Sequence, residues 1–114
     1  MSDFYQPELV KIVVFTPVSH SDQIREALAN SNCGHIGNYD HCTFSTRGVG
    51  RFRPLAGTDP FIGETGKIEK VDEERIETIC EKQQLSDVLK AIKAAHPYEE
   101  PAIDVYPLLN SQNF

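Results

Sequence analysis

The chain has 114 residues and a mass of 12.8 kDa, with 39% hydrophobic and 25% charged residues. A chain of this length makes one domain, residues 1–114, that buries roughly two thirds of its unfolded surface, so two full domains and a disordered polymer are both excluded. Eleven Lys and Arg against seventeen Asp and Glu leave a net charge of −6, which argues against nonspecific nucleic-acid or anionic-membrane binding.

The first strong segment is Leu9-Val10-Lys11-Ile12-Val13-Val14-Phe15, almost continuously apolar and β-branched, which predicts a strand buried on both faces. Pro17 ends it, and Ser19, Ser21 and Asp22 supply helix-capping side chains. Ile24, Ala27 and Leu28 then share a helical face, and the helix stops at Asn30-Ser31-Asn32-Cys33-Gly34. All seven glycines fall between Gly34 and Gly66, so this third of the chain is rich in turns. Within it, residues 39–46 have strand-like composition, and Phe52 and Leu55 continue the sheet after a glycine bend at Gly48-Val49-Gly50. Phe44, Phe52, Leu55, Phe61 and Ile62 are too apolar for a disordered linker, so the region is an ordered excursion.

Residues 67–81 allow two readings. Ile68, Val71, Arg75 and Ile79 mark a helical face; alternatively 67–71 and 75–80 are two strand pieces joined by an acidic kink. Coverage of the first strand favours the strands. Residues 85–96 make the clearest helix, capped by Ser86 and striped by Leu85, Val88, Leu89 and Ile92. Pro97 ends it, with His96 in the last turn, where the dipole favours a protonated imidazole. Residues 102–106 alternate as a last strand, and Pro107 suits an edge or an exit. The order β-α-β-β-α-β predicts an α+β, ferredoxin-like sandwich, a four-stranded antiparallel sheet with both helices on one face, with an extended glycine-rich excursion between strands 2 and 3.

Other features narrow the setting. The longest apolar run, residues 12–15, is far below the ~18–20 residues of a membrane-spanning helix. The start, Met1-Ser2-Asp3-Phe4, has neither basic residues nor an apolar block, so no secretory signal is expected. Three cysteines, an odd number, read as reduced thiols in a cytoplasmic protein.

Three groups of residues invite a functional reading. His41 and Cys42 are adjacent and on a strand would face opposite ways, while a turn could join His35 and His41 to Asp40. The chain has no CxxC, so a spacing-based zinc site has little support. His96-Pro97-Tyr98-Glu99-Glu100-Pro101 has two readings. In one, His96 and Glu99 or Glu100 form a metal site or an acid/base pair in a cleft; in the other, Pro97 stops the helix, Tyr98 packs over the sheet end and the carboxylates accept turn hydrogen bonds. Arg47, Arg51 and Arg53 sit among Gly48 and Gly50, where they either hold an anion, stand solvated on a twisted hairpin, or meet Asp72-Glu73-Glu74 of a neighbouring subunit. Nucleophilic catalysis has little support: Cys33 and Cys42 lack a placed base, Cys80 falls in the core pattern, and no G-x-S-x-G occurs.

The string His96-Pro97-Tyr98-Glu99-Glu100-Pro101 resembles a segment of CutA, the small trimeric divalent-cation tolerance protein with a ferredoxin-like, PII-like fold. Gly37-Asn38-Tyr39-Asp40, Gly48-Val49-Gly50-Arg51-Phe52-Arg53-Pro54, Gly57-Thr58, Pro60 and Gly63, with Glu74-Arg75-Ile76-Glu77, resemble the CutA-like insert of the NIF-three-like (YqfO-like) family. The resemblance spans residues 9–106 and implies a CutA/PII-like fold and a small oligomeric binding or regulatory module in the cytoplasm. It implies a homotrimer, with a dimer as the alternative, and edge strands that pair between subunits. The expected ligand cleft lies between subunits and involves Asn38, Tyr39, Asp40, Arg47, Arg51, Arg53 and Tyr98. The candidate metal ligands are His41, His96, Glu99 and Glu100, with a divalent metal as the one candidate cofactor. Full-length family members carry a dinuclear metal site on two lobes absent from this sequence. The rival readings are therefore a metal-dependent hydrolase of a nucleotide-like substrate, or a partner that docks on separate NIF-three-like lobes.

Overall fold

The computed structural model describes residues 7–111 and 114; the reading of Met1-Ser2-Asp3-Phe4 lies outside them. Four strands and two helices follow in the order β1 (Leu9–Pro17), α1 (Ser21–Asn30), β2 (Phe44–Phe52), β3 (Glu69–Glu81), α2 (Leu85–Ala95) and β4 (Ile103–Leu108). The sheet order is β2-β3-β1-β4, with every neighbouring pair antiparallel. This is the α+β, ferredoxin-like arrangement expected from the element order, with the excursion between β2 and β3.

Strand alternation sets the two faces. Val10, Ile12 and Val14 of β1 and Ile76 and Cys80 of β3 point to the helices, where Ile24 and Leu28 of α1 and Val88 and Ile92 of α2 complete a buried core. The opposite face is held by charge: Lys11 lies 3.5 Å and Arg75 3.3 Å from Glu77, and the Arg75 guanidinium sits over the Phe15 ring. Val13 is fully buried between Glu77 and Asp104, so β1 is buried on both sides at its centre.

Four local expectations change. Residues 69–81 form one strand with no kink at Asp72-Glu73-Glu74, because β2 pairs along Glu69 to Glu77 and β1 along Glu73 to Glu81, so the whole triplet lies in the β2 ladder and Glu73 and Glu74 in the β1 ladder as well. Residues 39–43 are loop rather than strand, since His41 adopts φ 58°. Gly48-Val49-Gly50 stays in register against Glu73, Asp72 and Val71 without a bend. Ser86 does not cap α2; a reciprocal Glu81–Gln84 capping box closes the single 3-10 turn, Lys82–Gln84, that precedes it.

Candidate functional site

The turn after α2 builds one wall of a cavity. His96 N–H still bonds Ile92 O at 2.9 Å, but its own backbone is extended (φ −82°, ψ 136°), as a residue before proline prefers. That turns the imidazole inward. Its Nε2 lies 2.7 Å from Phe15 O, and its Nδ1 accepts the Tyr98 N–H at 3.1 Å. A carbonyl accepts only, so Nε2 carries the proton and the neutral ring satisfies both partners. Burial holds its pKa below the usual value, outweighing the Phe15 carbonyl and Glu73, which favour the charged form. The protonated imidazole expected from the helix dipole is thus replaced by a neutral one, because burial disfavours the charged ring.

Tyr98 then reaches across the sheet end and donates its hydroxyl to Glu73 Oε2 at 2.9 Å. Burial, and then this bond, push the phenol above its ordinary range. Three aromatic rings ring Tyr98: Phe52 at 5.7 Å, Phe61 at 6.5 Å and His96 at 5.1 Å between centroids. His20 stands edge-on to Phe61 at 5.5 Å.

The excursion supplies the second wall. Gly66 N–H bonds Pro54 O at 2.8 Å, closing residues 54–66 into a loop that folds back over the sheet. Asp59 N–H bonds Glu99 Oε1 at 2.9 Å and ties this loop to the turn after α2. Between the walls lies a cavity of about 460 Å³ lined chiefly by Phe15, Phe52, Phe61, Tyr98, Glu73 and Glu100. Gly50 forms part of its floor, since a Cβ there would fall on the Glu73 carboxylate.

The residues singled out from the sequence divide between two regions. Tyr98, Arg51, Arg53, Glu99 and Glu100 line this cavity, with His96 behind Tyr98. Asn38, Tyr39, Asp40 and His41 lie in the loop before β2, which is anchored farther along β3. There Gly34 N–H bonds Ile79 O and Thr78 Oγ1 donates to Cys42 O. Gly34, at φ 78°, is packed so closely on Cys42 that no side chain fits. His41 Nδ1 sits 3.1 Å from Asp40 Oδ1, both exposed, and is not brought to His96. With both His96 nitrogens engaged and His41 elsewhere, the four candidate ligands do not converge. Among the described residues no three His, Cys, Asp or Glu side chains group as a metal site requires.

Arg47, largely exposed, lies beside Glu74 of its own chain. Its Nε lies 3.8 Å from Glu74 Oε2, while Arg25 Nη1 donates to Glu74 Oε1 at 3.0 Å and to Ser45 Oγ at 3.1 Å. The Ser21 hydroxyl, just outside strict hydrogen-bond geometry, and the Arg25 guanidinium hold the Glu74 carboxyl below the usual range. Cys33 and Cys80 are buried in the core, as expected for Cys80. Glu73 and Phe61 were not singled out as site residues from the sequence. The signal was there: a glycine two residues before the Phe52 ring, and aromatic residues within a turn-rich stretch.

No family model matches the chain. It is 54% identical over 102 residues to the "GTP cyclohydrolase 1 type 2 homolog" of Halalkalibacterium halodurans, covering 90% of this chain and 27% of that protein. The Bacillus subtilis protein of the same name is 47% identical over 104 residues, covering 91% and 28%. The chain thus spans about a quarter of the length of these curated relatives. Among solved structures, a Bacillus cereus protein related to NIF3 superposes with TM-score 0.81 at 50% identity, over 93% of this chain and 27% of that one. The periplasmic divalent cation tolerance protein CutA of Archaeoglobus fulgidus gives TM-score 0.65 at 18% identity over 90% and 86%, a likeness of fold alone. No helix among the described residues is long and apolar enough to cross a membrane. By sequence and fold, the chain is a CutA-like domain of the NIF-three-like family, corresponding to a segment of these longer relatives.

Proposed function

We propose that this domain is a small-molecule-binding, regulatory module rather than an enzyme, that it works in the cytoplasm as a homo-oligomer, and that the cavity between the turn after α2 and the loop 54–66 is its ligand site. One observation carries this: a cavity of about 460 Å³, large enough for a small metabolite, walled by aromatic rings and holding a nearly buried carboxylate. Nothing in it has the arrangement of a nucleophile and an oriented base. The hydrolase reading rests on the names of the longer relatives, of which this chain matches about a quarter, and finds no converging metal ligands among the described residues. Association through sheet edges has support in β2, an edge strand that exposes Phe44 and Val49. A trimer is the favoured state and a dimer the alternative; native mass spectrometry decides between them.

An amide chemical-shift screen of neutral, anionic and cationic fragments tests the site. Binders are expected to move the Phe52, Phe61 and Tyr98 amides, and Phe61→Ala is expected to weaken them. Fragments that move only residues elsewhere, or none of any charge that move these three, would refute the reading.

A further inference from the structure

Glu73 is 9% exposed, yet among the described residues no Lys, Arg or His side chain lies within ion-pair distance of its carboxylate. Among the described residues its one side-chain partner is the neutral Tyr98 hydroxyl, on Oε2. Arg75, two residues along the same strand face, is turned to Glu77 instead. A buried carboxylate without a cation is costly unless the charge is answered, and here it borders a cavity rather than packed protein. Phe15, Phe52, Phe61 and Tyr98 line the same space together with Glu100, the Phe15 ring already carrying the Arg75 guanidinium while Phe52 and Phe61 pack around Tyr98. Aromatic faces carry negative quadrupole potential, so several rings around one carboxylate attract a poorly hydrated cation. A bare divalent metal is a worse match, because it needs several oxygen, nitrogen or sulfur ligands at once, and no three such side chains group here. Arg51 and Arg53 also line the cavity, but among the ion pairs of the described residues neither meets Glu73.

We propose that the cavity binds a compact organic cation of the alkylammonium class, its positive centre over the Phe52, Phe61 and Tyr98 rings and its charge met by Glu73. This rests on the cavity being the ligand site and names the class of ligand it takes.

Choline and its neutral isostere 3,3-dimethylbutan-1-ol are the probes, titrated into ¹⁵N-labelled protein and read at the Gly50, Phe52 and Tyr98 amides. Choline is expected to bind at least about tenfold more tightly than the alcohol. Glu73→Gln, which keeps an oxygen for the Tyr98 hydroxyl, is expected to weaken choline and so narrow its preference over the alcohol, the remainder coming from the rings. Equal binding of the two probes, or undiminished choline binding by Glu73→Gln, would overturn the cation and leave the cavity standing as a ligand site. If neutral, anionic and cationic compounds all fail to move these amides, the ligand site itself falls.

Discussion

The close approach of Gly50 to Glu73 makes the sign of a single methyl group predictable. Gly48 and Gly50 occupy the same strand, the same face and the same negative-φ backbone, so Ala at either narrows the unfolded ensemble by about 0.5–1 kcal/mol in favour of folding. At Gly48 the added Cβ meets no atom within 4 Å, and the whole gain is realised. At Gly50 it falls on the Glu73 carboxyl, which Tyr98 holds through its hydroxyl. The carboxylate must swing away and break a hydrogen bond to a charged group, a loss of about 1.5–3 kcal/mol. Gly50→Ala should therefore destabilise by about 1–2 kcal/mol and Gly48→Ala stabilise by about 0.5–1 kcal/mol. Urea denaturation reads this as midpoints moving in opposite directions, the first down by roughly 1 M and the second up by about 0.5 M. In a Glu73→Ala background the obstacle is gone, and Gly50→Ala should become stabilising like Gly48→Ala. Coupling between positions 50 and 73 below about 0.5 kcal/mol, or the two alanines shifting the midpoint alike, would refute the reasoning.

Two further outcomes follow from the ionisable groups. His96 has a folded pKa below its unfolded value of 6.5, so the unfolded chain takes up the proton first. Its contribution is complete above pH 6.5, declines as pH falls toward the folded pKa and levels off below it; His96→Gln should flatten the urea midpoints between pH 7.5 and 5.5. Arg25→Ala should cost about 1 kcal/mol, since its partner Glu74 is well shielded while Arg25 is partly open to salt. Because the Glu74 pKa is depressed, that stability is present above pH 4.5 and lost as pH falls through the folded value, so the wild-type and Arg25→Ala denaturation curves should converge in acid.

Local pattern decided most elements and their order, while residues 67–81 needed the coverage of β1 to be read as strand. The run from Leu9 to Phe15 has no polar face, so it had to lie at the sheet centre, and β1 pairs on both edges. The stripe through Val88 and Ile92, stopped by Pro97, specified α2 and the place of the turn after it. Periodicity of this kind records which face is apolar, and a four-stranded sheet under two helices is the layer that buries those faces. Charge was misread wherever its partner is distant in the chain. Asp72-Glu73-Glu74 looks like a break locally, yet Glu74 is met by Arg25 and Glu73 by Tyr98, residues that only the folded sheet brings near. His96 looks cationic beside a helix end, but its burial outweighs the Phe15 carbonyl and keeps it neutral. The site divided for the same reason: the turn after α2 and the loop 54–66 meet over Phe52, whereas the loop holding Asn38 and His41 is tied farther along β3. The sequence by itself therefore determined fold class, the order of elements along the chain and the presence of an ordered aromatic excursion. Only the tertiary structure decided which carboxylate is buried and which rings enclose it, because desolvation and pairing depend on neighbours tens of residues away, which no local spacing encodes.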